Sequence, residues 1–249
     1  EVARNPLPSV MWGHHDEARD WTYDPGLSRQ LLSDAGFPDG LNEVTIAEDI
    51  LDEDDEAIFS AGDKITLTLH YAPVARSDYL SYEEISESIA ADLAHVGISV
   101  TLESARDWPT YQALLNEGLL LGLYMDSWGN GALGSGGENG DPDSYYNTSF
   151  GFESEDKEGP PDTWEKAPRA SEGWWADTEI ARLCYEASID PSPAEREALY
   201  AQIEQLLRDN TYRIWIAHGN VSLVFSNRVS GFVPQPVGAD YYEWVTVQD

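Results

Sequence analysis

Cysteine is almost missing from this sequence. Cys184 stands alone, so no internal disulfide can form. It lies four residues after Ile180 and three before Ala187, which is helical core spacing. A buried structural thiol is expected there, not a nucleophile. Lysine is nearly absent too, at Lys64, Lys157 and Lys166 only. No stretch approaches the roughly 20 apolar residues that cross a bilayer. The chain begins on Glu1 in a polar segment, without a basic region followed by an apolar one, and reads as a mature or excised piece. Gly-x-Ser-x-Gly, His-Glu-x-x-His and phosphate-loop patterns are also missing. No catalytic residue, cofactor or metal is expected.

What the sequence has in excess is negative charge. Asp and Glu number 46 against 14 Lys and Arg, a formal net charge of −32. A nucleic acid partner is disfavoured, because phosphate repels such a surface. An anionic membrane surface is disfavoured for the same reason. Self-repulsion should weaken the fold at low salt, and salt should screen it. Two readings stay open: a high-salt source, or an ordinary acidic extracellular protein.

The 41% hydrophobic content is enough for a real core. After an irregular start from Asn5 to Trp21, Asp24 caps a predicted helix with Pro25 in its first turn. Leu27, Leu31, Leu32 and Ala35 form its stripe, and Gly36 stops it. The acidic run Glu48 to Glu56 does not fit a calcium loop and reads as a solvated insertion.

A strand, helix, strand unit follows. Ile65 to Tyr71 alternates as a strand. Ser81 and Glu84 form a capping box, with Leu80 and Ile85 placed as a staple. Ile85, Ile89, Leu93 and Val96 mark one helix face. Ile98 to Leu102 is a second strand, so a parallel crossover is expected. A short helix spans Pro109 to Glu117. Leu119 to Met125 reads as a third strand buried on both faces.

Gly129 to Gly173 reads as loop. Helices return near Asp177 to Ala187 and from Ser192, with Pro193 and Glu195 as start signals. Leu199, Ile203, Leu206 and Leu207 give the second an apolar face. Arg213 to Ala217 and Val221 to Phe225 read as closing strands. The expected class is α/β, a three-layer-like lobe with a mixed sheet flanked by helices.

Four segments in this order resemble one family. Tyr23-Asp-Pro-Gly-Leu-Ser-Arg-Gln-Leu-Leu-Ser-Asp-Ala-Gly-Phe-Pro-Asp-Gly40 is similar to its YDPxxAxxLLxxAGYPDG helix. Ile89 to Val100 resembles IQxxLxxxGIxV, followed by DWxxY at Asp107 to Tyr111. Ser127-Trp128 and Gly140-Asp-Pro-Asp143 resemble the GW…DPD ligand loop. Asp190 to Tyr200 and Ser226 to Phe232 resemble DPxxRxxLY and a closing strand. The family is the family 5 extracellular solute-binding proteins of ABC importers, which include oligopeptide, dipeptide and nickel binders.

The resemblance implies a periplasmic-binding-protein type II-like lobe, the C-terminal half of a two-lobed clamp. Residues 1–233 would form the ligand-binding lobe, with a loop insertion at about 129–173. Residues 234–249 would return toward the missing N-terminal lobe. The implied address is extracytoplasmic, periplasmic or membrane-anchored at the cell surface. The implied work is to capture a short peptide or other small solute for ABC permease subunits, without enzymatic turnover.

The implied ligand residues lie on the loop after Trp128. In the family an acid three residues after that Trp pairs with a peptide's α-ammonium, a bond that is strong when desolvated. Here that position is Gly131, and an insertion runs to Asn139 before Asp141-Pro142-Asp143. Asp141 or Asp143 could substitute, or could simply start a turn. Trp128 would wall the cleft. Tyr145, Tyr146 and Asn147 would offer stacking and hydrogen bonds. His218 and Asn220 read as a surface turn, and His14-His15 as a solvated or locally bonded pair. Trp164, Trp174 and Trp175 fit either a ligand wall or packing of the insertion. An oligosaccharide or nickel-complex binder of the same family stays open. From another class, so does a carbohydrate-active enzyme or carbohydrate-binding module.

Overall fold

The computed structural model describes residues 2–9, 11–15, 22–42, 44–51, 57–73, 81–120, 122–126, 141–151, 177–218, 223–233 and 242–248. The chain divides into two compact units. One is continuous, Trp21–Ser127; the other joins Glu1–Asp20 to Trp128–Asp249.

The continuous unit opens with helix α1, Pro25–Asp34, whose cap Asp24 accepts the Leu27 N–H at 2.9 Å. The expected stripe is present but uncovered: no residue of α1 is buried, and Leu27 and Leu31 are each about half exposed. The acidic run is bracketed by an antiparallel pair, β1 (Ile50–Leu51) and β2 (Ala57–Phe59). Then come β3 (Leu67–Tyr71), α2 (Tyr82–Ala94), β4 (Val100–Ser104), α3 (Trp108–Asn116) and β5 (Leu123–Tyr124).

The sheet order is β4-β3-β5, parallel at both pairings, with Leu69 opposite both Leu102 and Leu123. This is the parallel β3–α2–β4 unit that the periodicity requires. Buried Leu69, Tyr71, Tyr82, Tyr111, Leu115, Leu120 and Met125 form the core of this unit. The Tyr111 hydroxyl donates to the Met125 carbonyl at 2.5 Å and lies 3.3 Å from that of His70, fastening α3 to two strand ends. Asp107 caps α3 through the Thr110 N–H, and with these bonds and Arg106 its pKa falls to about 2.

Two local expectations are corrected. Ser81 occupies the cap position of α2, but its side chain makes no capping hydrogen bond; Leu80 lies outside the described residues. The third strand is two residues long and half-buried, with Leu119 about half exposed; among the described residues it pairs with β3 alone.

Gly40 and Gly97 press together backbone to backbone, at φ +81° and +85°. The Leu41 N–H donates to the Gly97 carbonyl at 2.8 Å, joining the turn after α1 to the end of α2.

The other unit packs α4 (Pro142–Phe150), α5 (Thr178–Ile189) and α6 (Pro193–Asn210) around Leu7 and Met11 from the start of the chain. Asp177 caps α5, and Ser192 caps α6 through the Glu195 N–H. Cys184 is fully buried in this core, as its spacing predicts. The predicted closing strand at Arg213–Ala217 reduces to one bridge, Ala217 with Val2, and 219–222 lies outside the described residues. A short antiparallel pair, β6 (Val229–Ser230) with β7 (Thr246–Val247), lies near the end of the chain. Phe225, Phe232 and Tyr242 cluster beside it.

Candidate functional site

Helix α4 lies in the region read from sequence as loop. Asp141 is its N-cap, accepting the Asp143 N–H at 2.9 Å, and Pro142 fills the first turn. Asp-Pro-Asp therefore begins a helix here, not a turn. Weak helix formers such as Ser144, Asn147 and Thr148 hid it; burial of Tyr145, Tyr146 and Phe150 supplies what propensity lacks.

The structure brings five of the six sequence-derived site residues onto this one helix and its cap. Trp128, the sixth, lies outside the described residues, as do 131–139, Trp164, Trp174, Trp175 and Asn220. Asp143 is half-buried, and its carboxylate accepts the Asn147 Nδ2–H. Tyr145 and Tyr146 face inward. Tyr146 stacks on Tyr200 at 5.0 Å between ring centroids, and Tyr145 meets Phe150 edge-on. Both rings thus back the site from within the core. His14 donates from Nδ1 to the Leu7 carbonyl, a local bond, whereas His15 reaches across the unit from Nε2 to the carbonyl of Glu197 on α6. Among the described residues no cluster of His, Cys, Asp and Glu could hold a metal ion.

Arg196 on α6 is the residue that sequence reasoning missed. Its guanidinium grips Asp141 with both arms, Nη1 to Oδ2 at 2.9 Å and Nη2 to Oδ1 at 2.5 Å. Nη2 also donates to the Tyr200 hydroxyl at 2.7 Å, and Nε to the Ala187 carbonyl at 2.8 Å. The Trp12 ring lies 5.0 Å from the guanidinium carbon. Burial works to raise the pKa of the Asp141 carboxyl. The Arg196 bonds and the Asp143 N–H outweigh it, and the net shift is downward. Half of the signal was in the sequence: Arg196 and Tyr200 stand four apart on one helix face, but nothing local points to Asp141 as their partner. The DPD segment and the DPxxRxxLY segment, far apart in sequence, meet at this ion pair.

Below it lies a buried acid. Glu204 is fully buried, accepts the Tyr146 hydroxyl proton at 2.9 Å, and has Arg208 Nη1 at 3.7 Å. Burial raises its pKa, against the opposing influence of Tyr146, His15, Arg208 and Asn5.

Residues 1–154 match the bacterial extracellular solute-binding proteins, family 5 Middle. The chain belongs to that family. It is 28% identical over 245 residues to heme-binding protein A of Haemophilus influenzae, covering 98% of this chain and 37% of that protein. It is 25% identical over 251 residues to the dipeptide-binding protein of Escherichia coli, covering 99% and 38%. The solved structure of HbpA2 from Haemophilus parasuis covers all of this chain with 40% of its own, at 20% identity and a TM-score of 0.70. This member of the family thus spans about two fifths of the length of the relatives it matches. The α/β class and the parallel sheet flanked by helices agree with that likeness. Family membership sets aside the carbohydrate-active enzyme reading: the family binds solutes, and it is extracellular.

Proposed function

We propose that this chain is the C-terminal, ligand-facing lobe of the substrate-binding component of an ABC importer. It captures short peptides outside the cytoplasmic membrane and delivers them to the permease. Residues 1–233 form the lobe, and 234–249 return toward an N-terminal lobe. The observation that carries this reading is likeness to a dipeptide-binding protein along 99% of the chain, within a family of solute binders. The ligand segment runs from Trp128 through Asp141, Asp143, Tyr145, Tyr146 and Asn147. The Asp143 carboxylate suits a ligand with a free ammonium.

A second reading is a heme-type ligand, favoured by the 28% identity to a heme-binding relative. Oligosaccharide and nickel-complex ligands remain further alternatives within the family. The acid excess supports an extracellular setting of high salt as a separate proposal.

The test is to purify the full-length protein without refolding, denature it, and identify the released small molecules by mass spectrometry. Short peptides whose affinity falls on N-acetylation are the expected result. Release of heme, with no affinity for peptides, would overturn the peptide assignment.

A further inference from the structure

The Arg196 guanidinium joins three stretches of chain to its own helix. It bonds the cap of α4 through Asp141 and the last turn of α5 through the Ala187 carbonyl. It holds the Tyr200 hydroxyl one turn along α6, and Trp12 from the start of the chain lies over it. Arginine has five N–H donors, and these bonds use four of them. Its side chain is 16% exposed and that of Asp141 29%. A bidentate pair this sheltered fixes orientation as well as distance. Asp141 spends both carboxylate oxygens on Arg196, and Oδ1 also accepts the Asp143 N–H.

We infer that Arg196 is the positioning residue of the ligand segment, and that Asp141 serves by carrying this tie, not by touching the solute. The inference rests on the solute-binding reading for its ligand arm. The first turn of α4 is held against α5 and α6 from outside itself. Asp143 and Asn147, one turn apart on α4, take their place from that anchor. A lysine at 196 has the charge but not the fork, so it cannot grip Asp141 and the Ala187 carbonyl together.

Two measurements on the full-length protein test this. The first is hydrogen exchange at the α4 amides in Arg196→Gln, Asp141→Asn and the double variant. Each single variant is expected to speed exchange about tenfold, and the double no further, because both remove one tie. Unchanged protection of α4 in Arg196→Gln overturns the inference. The second is the Kd for the dipeptide Ala-Phe. Affinity should fall in both single variants, with no further loss in the double, and Arg196→Lys should not restore it. Additive losses would mean that Asp141 touches the ligand independently, which also overturns the inference. If the wild type binds hemin and not Ala-Phe, the peptide reading fails; the exchange result then decides the positioning role by itself.

Discussion

The Tyr146 hydroxyl donates a hydrogen bond to Glu204 Oε1 at 2.9 Å in a place where neither side chain reaches water. The pair ties α4 to α6 from beneath, as Arg196 and Asp141 tie them nearer the surface. It also puts an ionisable carboxyl beside a core made mostly of aliphatic and aromatic side chains.

That placement sets a pH dependence. Burial raises the Glu204 pKa despite Tyr146, His15, Arg208 and Asn5. A carboxyl that holds its proton more tightly when folded contributes stability that is complete below the unfolded value, about 4.3. The contribution is lost as pH rises through the folded value. Glu204→Gln keeps an acceptor for Tyr146 and has no proton to lose. Urea unfolding of both proteins from pH 4 to 8 should show the difference moving in the variant's favour above the unfolded value and levelling off once the folded value is passed. A difference that stays constant would show that Glu204 titrates alike in both states.

Gly40 and Gly36 offer a matched comparison. Both have positive φ, +81° and +94°. A Cβ on Gly40 would lie 2.4 Å from the Gly97 carbonyl oxygen, whereas one on Gly36 would meet nothing within 4 Å. Gly36→Ala should cost about 1–2 kcal/mol from the left-handed backbone. Gly40→Ala adds a clash worth about 1–3 kcal/mol more. Denaturant midpoints compare them, and equal losses would show that the close approach relaxes freely.

Asp177 caps α5 through the Glu179 and Ile180 N–H groups, at 2.9 and 3.0 Å. Asp177→Ala should destabilise the protein by about 1 kcal/mol, and Asp177→Asn by much less. The ranking is read from thermal unfolding at pH 7.

The net charge of −32 predicts that salt stabilises the fold. Unfolding between 0.1 and 2 M NaCl should move to higher temperature, about 2–4 °C for each kcal/mol of repulsion screened. A flat or falling midpoint would leave the acidity as an ordinary surface property.

The sequence announced most of this fold because caps and periodicity are local. Asp24 and Ser192 cap the helices read as starting at them, and Asp107 and Asp177 turn out to cap the two whose starts were read only approximately. Helix α4 was illegible because tertiary burial of Tyr146 and Phe150 holds it, not propensity. The site's central contact was illegible for another reason. Asp141 and Arg196 are 55 residues apart, and no local pattern pairs them. Glu204 was hidden among acids, although it sits at the buried spacing of Tyr200, Ile203 and Leu207.

One unit of this protein joins Glu1–Asp20 to Trp128–Asp249, with the other unit between them in sequence, and that sets an order of events during synthesis. Residues 21–127 can complete their contacts as soon as they emerge. Leu7 and Met11, made before them, have no core to enter until α4, α5 and α6 exist. At about 5–20 residues per second, the wait lasts roughly ten seconds or more. Through that interval the apolar side chains of Leu7 and Met11 lack the core they belong to, and keeping them from wrong partners falls to whatever attends the nascent chain.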